Sequence, residues 1–257
     1  MRSSTAARAD GYKAKRPAEP HFTCVRTYTF DNCLAQRTDR YPQAKRELTR
    51  RWLIPYARPG MTLINIGCGA GDFNAVAHAM GLRVIACEPD PAPFEVARRE
   101  APPGCEVYSC DLGGLAKLGV KGDFVVMHDV LEHIEDDAEA VDMLRGLLNP
   151  GGHAFVSVPA LQWLFGRHDE ELGHYRRYDK RSLSDVLSRR FEVVRMRYYG
   201  ALSIPLVLVF SKLLRREYPR KAGREGAVGR IYGALCDFEI GVAFPTGTSV
   251  MADVVAK

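Results

Sequence analysis

The chain has 257 residues, of which 46% are hydrophobic and 26% charged, with a formal net charge of +5. That is enough apolar material for a sizeable core, so a disordered chain is excluded, and one α/β domain with decorations fits the length better than two independent domains. No run approaches the ~18 apolar residues a bilayer span needs, and the seven cysteines contain no Cys-x-x-Cys pair, which argues against a structural zinc site and for reduced thiols in a cytosol.

Residues 1–20 combine Arg2, Arg8, Lys13, Lys15 and Arg16 with Ala, Ser and Pro and lack the apolar core of a secretory signal. They read as a disordered basic tail, either simply solvated or acting as an electrostatic tether to an anionic surface. Residues 21–58 form the next unit. From Val25 to Tyr56 the pattern turns helical, with Leu48, Trp52, Leu53 and Tyr56 on one apolar face, and the expectation is a helical cap beside a ligand pocket.

From residue 59 to the end, strand and helix patterns alternate. Leu63-Ile64-Asn65-Ile66 is an apolar run that empties into Gly67, Gly69 and Gly71. It reads as a buried strand followed by a turn in which glycine lets the backbone approach a ligand where a Cβ would clash. Arg83 to Cys87 repeats the design and ends at Glu88, a carboxylate suited to accepting hydrogen bonds from two ribose hydroxyls. Further strands are predicted near Glu106–Ser109, Asp123–His128, His153–Val158 and Glu192–Tyr199, and a seventh, Thr248–Ala256, follows the Pro245-Thr246-Gly247 turn. Such alternation requires right-handed crossovers and a doubly wound parallel sheet, with the ligand at the carboxyl ends of the first strands. The glycine spacing meets neither the dinucleotide pattern Gly-x-Gly-x-x-Gly nor the phosphate loop ending Gly-Lys-Ser/Thr, so the ligand need not carry phosphates.

Asn65-Ile66-Gly67-Cys68-Gly69-Ala70-Gly71 resembles the first motif of the class I S-adenosylmethionine-dependent methyltransferases, an acidic residue, an apolar residue, then Gly-x-Gly-x-Gly; it departs from that motif at Asn65. Glu88-Pro89-Asp90 stands where the family's ribose-binding acid stands, Cys110-Asp111-Leu112 where its adenine-side acid stands, and His128-Asp129-Val130-Leu131-Glu132-His133 resembles the loop after its fourth strand. Leu148 to Pro159 resembles the turn into the fifth. The four motifs run in order over Met61 to Pro159. The resemblance implies the seven-stranded, mostly parallel Rossmann-like methyltransferase fold, with the last strand antiparallel between the fifth and sixth and an insertion at residues 201–246 between the last two strands. It implies S-adenosyl-L-methionine as cofactor, held by Asn65, Gly67, Cys68, Gly69, Gly71 and Asp72 from the first turn, by Glu88 and Pro89, by Asp111 and Leu112, and by His128, Asp129 and Val130. A sulfonium methyl is already activated, so the protein has to align a nucleophile, exclude water and remove a proton, and no metal is required.

The segment from Trp163 to Asp179 exceeds the usual ~2–6 residues between strand and helix. It is too polar and aromatic for a core element. It resembles the Phe/Trp-x-x-His-Asp-Glu…Gly-His-x-Arg-Arg-Tyr segment of a bacterial subgroup of these methyltransferases acting on small-molecule or lipid-linked acceptors, many in polyprenyl-linked sugar or cell-envelope pathways. Three histidines are candidate proton acceptors. His168 beside Asp169 is either an oriented base or half of a surface ion pair, His174 a base or a turn residue, and His133 a substrate-side group or a loop cap. Substrate contacts are assigned to Tyr41, Trp163, Phe165, Arg176, Arg177 and Tyr178, with one of the two arginines bracing the loop against a carboxylate. A metal on His128, Glu132 and His133 is set aside because the spacing is not a helical His-x-x-x-His pair.

Ala201 to Leu214 is nearly all apolar and is followed by Arg215, Arg216, Arg220, Lys221 and Arg224. A buried helix or dimer face, a lid on a hydrophobic acceptor tunnel, and peripheral membrane contact through residues 201–224 are its open readings. The expected function is methyl transfer from S-adenosylmethionine to oxygen on a small-molecule or lipid-linked acceptor. The alternatives are an RNA or other nucleic-acid methyltransferase and a catalytically silent cofactor-binding partner. The first lacks the Asn/Asp-Pro-Pro-Tyr/Phe loop and any aromatic-and-basic repeat, so no nucleic-acid partner is expected. Asn65 keeps the second open.

Overall fold

The β-branched runs identified above become strands buried on both faces, because every crossover between them is long enough to carry a helix. The structure, a computed structural model, describes residues 37–208 and 227–257. The basic tail, residues 21–36 of the expected cap and residues 209–226 of the insertion lie outside the described residues.

In chain order the elements are α1 (Arg40–Leu53), β1 (Thr62–Ile66), α2 (Asp72–Ala79), β2 (Arg83–Cys87), α3 (Pro91–Arg99), β3 (Glu106–Tyr108), α4 (Leu112–Lys117), β4 (Gly122–His128), α5 (Asp137–Gly146), β5 (Leu148–Pro159), α6 (Arg167–Leu172), α7 (Lys180–Leu187), β6 (Phe191–Tyr199), α8 (Ile204–Val207), α9 (Ala227–Gly241) and β7 (Ser249–Ala256). The sheet order is β3-β2-β1-β4-β5-β7-β6. β7 runs antiparallel to both neighbours, with Ser249 opposite Pro159 on one side and Tyr199 on the other. The mostly parallel seven-stranded sheet and the inserted last strand are thus as the resemblance implied.

Two apolar clusters cover the faces of the sheet. One buries Leu112, Leu115, Val141, Leu144, Leu183 and Leu187 from α4, α5 and α7 against Ile64, Val125 and Val156. The other buries Ala44, Leu48 and Trp52 of α1, Phe73 and Ala77 of α2 and Cys236 and Ile240 of α9 against Leu63, Phe124 and Phe155. The described part of the N-terminal helical segment, α1, is thus packed into the second helical layer.

Several loops converge at one edge of the sheet. The parallel strands β1, β2 and β4 end there, β5 ends at Pro159, and β7 begins at the same level, so the segments around Ala160, Gly200 and Thr248 lie beside one another. Ala160 N donates to Thr248 O at 2.8 Å. The start of the insertion is anchored there by Glu239 of α9, 2% exposed, whose carboxylate accepts from Gly200 N, Ala201 N and Leu202 N at 2.7, 2.9 and 2.8 Å. Among the described residues no helix is long and apolar enough to cross a membrane.

Candidate active site

β1 delivers its chain into a turn in which Gly67, Gly69 and Gly71 all have positive φ, at 62°, 56° and 84°. The three glycines serve different ends. A Cβ on Gly67 would sit 2.4 Å from Val130 Cγ2, so the turn after β1 packs directly onto the loop after β4. A Cβ on Gly69 would meet nothing within 4 Å, so this residue faces open space and its need for glycine is conformational. Gly71 precedes the first turn of α2.

Glu88, just past β2, is buried and reaches across this turn: Oε2 accepts from Gly69 N at 2.8 Å and Oε1 from Asp90 N at 3.0 Å. Burial pushes its pKa above the ordinary carboxylate range while the two backbone N–H groups oppose that rise. A carboxylate fixed at two oxygens, each with a lone pair left, beside a turn whose Gly69 presents no side chain, fits a ligand with paired hydroxyls. Asn65 is buried and donates through Nδ2 to Asn74 Oδ1 at 2.8 Å, and Asn74 Nδ2, also buried, has no partner. The donor at the departure from the family motif is thus spent inside the fold.

The remaining residues predicted for this pocket divide. Cys68 is half-buried, and its N donates to Cys87 O at 2.9 Å, tying the turn to β2. Asp111 caps α4 through Gly114 N at 2.7 Å, Leu112 is in the core, and Pro89 is exposed on the rim. Asp72, expected to contact cofactor, is turned toward the N-terminal segment, 2.7 Å from Arg37 and 3.5 Å from Arg46.

The loop after β4 forms the other wall. Asp129 has φ of 53°, one of two non-glycine residues with positive φ among the described residues. Such strain persists where the surroundings over-determine the conformation. Asp129 N donates to Ser157 O at 2.8 Å, and its carboxylate pairs with Lys45. Lys45 is 4% exposed. Burial opposes charge on both partners, but each holds the other ionised, so the lysine lies above its ordinary pKa and the aspartate below. One turn on, Thr49 Oγ1 lies 2.9 Å from His128 Nε2; burial, reinforced by Lys45, lowers His128 to about 3. Tyr41 Oη lies 2.7 Å from Thr248 Oγ1 and 2.9 Å from Ser249 Oγ, which puts it at the same edge of the sheet. Tyr41, Lys45 and Thr49 thus form a polar stripe at i, i+4, i+8 on an otherwise apolar helix face. Lys45 and Thr49 were missed from sequence, although a lysine sharing a face with Leu48 and Trp52 was a readable signal.

The segment from Trp163 to Asp179 is more ordered within than its polarity suggested. It contains α6 and wraps around Asp169, which is wholly buried. That carboxylate accepts from Gly166 N at 3.0 Å, His174 Nδ1 at 2.9 Å and, in a bidentate pair, Arg177 Nε at 2.7 Å and Nη2 at 3.0 Å. Burial works against ionisation, but the His174 and Arg177 bonds hold Asp169 at about 2. The oriented histidine is therefore His174, not the adjacent His168. His168 lies half-buried within α6. Because a carboxylate only accepts, His174 Nδ1 donates in this bond, and Nε2 is the nitrogen turned away from Asp169. His133 meets the His174 ring edge-on with centroids 4.6 Å apart, and burial lowers it to about 4.

Both arginines are committed. Arg177 braces the loop, while Arg176 Nη1 lies 2.8 Å from Asp137 and Nη2 donates to Glu135 O at 2.5 Å. Tyr178, 2% exposed, donates to Asp137 at 2.9 Å. The polar groups of Arg176, Arg177 and Tyr178, expected to contact substrate, hold the loop to α5 and to itself. Phe165 is half-buried and Trp163 is 55% exposed. Also unforeseen is Glu132, 1% exposed between the two walls, with neither carboxylate oxygen hydrogen-bonded outside its own residue; burial, then Asp129, raises its pKa well above the ordinary range.

Residues 36–196 match the family model described as a methyltransferase domain. The chain belongs to this methyltransferase family. Among curated proteins, a ubiquinone biosynthesis O-methyltransferase from Methylobacterium sp. (strain 4-46) is 30% identical over 109 residues, 41% of this chain and 44% of that protein. The chain spans less than half the length of the curated relatives it matches. Among solved structures, the N-methyltransferase NodS from Bradyrhizobium japonicum WM9, in complex with S-adenosyl-L-homocysteine, aligns with a TM-score of 0.56 at 14% identity, covering 86% of this chain and 90% of that one. The Haemonchus contortus phosphoethanolamine N-methyltransferase 2, in complex with S-adenosyl-L-methionine, aligns at 0.61 and 15% identity over 90% and 58%. At these identities the structural likeness concerns the fold.

Proposed function

We propose that this methyltransferase uses S-adenosylmethionine to methylate an oxygen of a small-molecule or lipid-linked acceptor, within one domain in which α1 and the insertion flank the cleft. The observation that carries the reading is Glu88, buried and aimed across Gly69. When bound, the cofactor supplies an activated methyl on a sulfonium. Glu88 accepts from the ribose hydroxyls and the glycine turn admits the cofactor backbone-close. The loop of Asp129 and Val130 bounds the pocket on the β4 side, and the Lys45–Asp129 pair fixes that loop against α1. His174, held by Asp169 through Nδ1, and the adjacent His133 are the groups placed to take a hydroxyl proton.

Oxygen as the target is supported by the name of the O-methyltransferase relatives, which match the chain only in part. An apolar acceptor is supported by the edge of the insertion, where α9 exposes Ile231, Leu235 and Phe238 along one stripe, with Val242 just beyond it and Leu202 and Leu208 also exposed. The test is incubation of the full chain with isotopically labelled S-adenosylmethionine and, separately, aqueous and lipid extracts. A product heavier by one methyl and stable to the hydrolysis that cleaves methyl esters supports ether formation. Label on nitrogen, on nucleic acid or nowhere contradicts the reading.

A further inference from the structure

Glu132, His133 and His174 each offer one ligand atom, and the three atoms lie within 4.8 Å of one another. They come from different parts of the chain. Glu132 and His133 lie in the short 3-10 turn after β4, and His174 in the segment after α6. The two stretches are stitched by Tyr175 N donating to Glu132 O at 2.8 Å.

Three observations on this cluster point the same way. The Glu132 carboxylate is buried, yet neither oxygen has a hydrogen-bond partner outside its own residue, an expensive arrangement unless something else meets them. Lys45 and Arg177, the cations that act on Glu132, are each already paired with another carboxylate, Asp129 and Asp169. Finally, His174 gives Nδ1 to Asp169, the carboxylate–histidine arrangement that orients a metal-bound imidazole through its other nitrogen.

We propose that Glu132, His133 and His174 form a divalent-metal site of the two-histidine, one-carboxylate type, suited to Zn²⁺ or Co²⁺ and open at one further position. In a tetrahedral site with bonds of ~2.0–2.1 Å the ligand atoms stand ~3.4 Å apart, so from separations of at most 4.8 Å the side chains have to close by up to about 1.4 Å on metal entry. The site shares His133 and His174 with the proton-accepting role proposed above, but metal binding is read out independently of methyl transfer. The sequence reading set a metal aside because it sought the second histidine at His128. That ring is engaged by Thr49, and the missing ligand comes from His174, more than forty residues away.

The test titrates the chelator-treated, dialysed full chain with Co²⁺ alone and follows the visible bands, then adds Zn²⁺ as competitor. One equivalent of Co²⁺ is expected to bind at micromolar concentration, without the near-ultraviolet charge-transfer band of thiolate ligands, and to be displaced by Zn²⁺. Glu132→Gln, which keeps the shape, and His174→Ala are each expected to weaken binding by about 10–100-fold or more, while His78→Ala, on the exposed end of α2, retains it. Failure of the folded wild type to bind one equivalent, a thiolate spectrum, or equal affinity in Glu132→Gln and His174→Ala would each overturn the site.

Discussion

At the scale of single residues, the glycine turn separates two constraints that look alike in the sequence. Gly67→Ala places a methyl 2.4 Å from Val130 Cγ2 at a φ of 62°, so it is expected to unfold the turn and cost more than the ~1 kcal/mol of conformational strain alone. Gly69→Ala has open space and pays strain only. Thermal denaturation distinguishes them, and equal losses in both variants would contradict the packing of the turn on the β4 loop. Asn65 carries a second prediction. Asn65→Asp sets a carboxylate against Asn74, whose unpartnered Nδ2 can turn to donate to it, so the melting temperature should move by less than about 3 °C, roughly 1 kcal/mol. A larger fall would mean that Asn74 is fixed. Glycine spacing and the acid after the second strand were legible because local backbone geometry demands them. Lys45, Glu132 and the His174–Asp169 pair were not, since each gains meaning only from a partner brought close by the fold.

At the scale of elements, the segment between β5 and α7 turns on one buried carboxylate. Asp169→Asn removes the charge that meets His174 and Arg177 while keeping most of the shape, leaving Arg177 buried beside a neutral partner. Breaking a buried pair in this way costs about 3–5 kcal/mol. The expected readout is early protease cleavage between residues 160 and 179, before the sheet is attacked; cleavage at the wild-type rate would contradict the bracing role. The segment's composition suggested an open loop, but its polar residues are directed at one another and so build a helix and a turn without a large apolar face. The strands were read closely for the opposite reason: they are buried on both faces, and their β-branched runs have few other places to go.

At the scale of the whole molecule, acid stability follows from the histidines at the sheet edge. Burial lowers His128 to about 3 and His133 to about 4, against ~6.5 in an unfolded chain. The unfolded state therefore binds these protons first as pH falls, and stability rises with pH wherever it holds more of them. The contribution is complete above about pH 6.5 and is lost progressively toward pH 4. Urea midpoints measured at pH 7 and pH 5 should fall with acidity, and less steeply in His133→Gln; a midpoint independent of pH across this window would contradict the burial of these rings. The alternation of strands and helices made a doubly wound sheet legible, and the inverted last strand between the fifth and sixth followed from the resemblance. The placement of α1 within the core layer was not legible, because it depends on an apolar face whose partner, α9, lies almost two hundred residues away.

The central claim is that the β1 turn and Glu88 form the cofactor site, and it is tested most directly by calorimetric titration of S-adenosylhomocysteine into the full chain and into Glu88→Ala, with circular dichroism confirming that both are folded. Removing a charged acceptor of two hydroxyls is worth about 1.5–3 kcal/mol, so the wild type is expected to bind and the variant to bind roughly tenfold or more weakly. Equal affinity in the two folded proteins, or no binding by the wild type, would contradict the assignment.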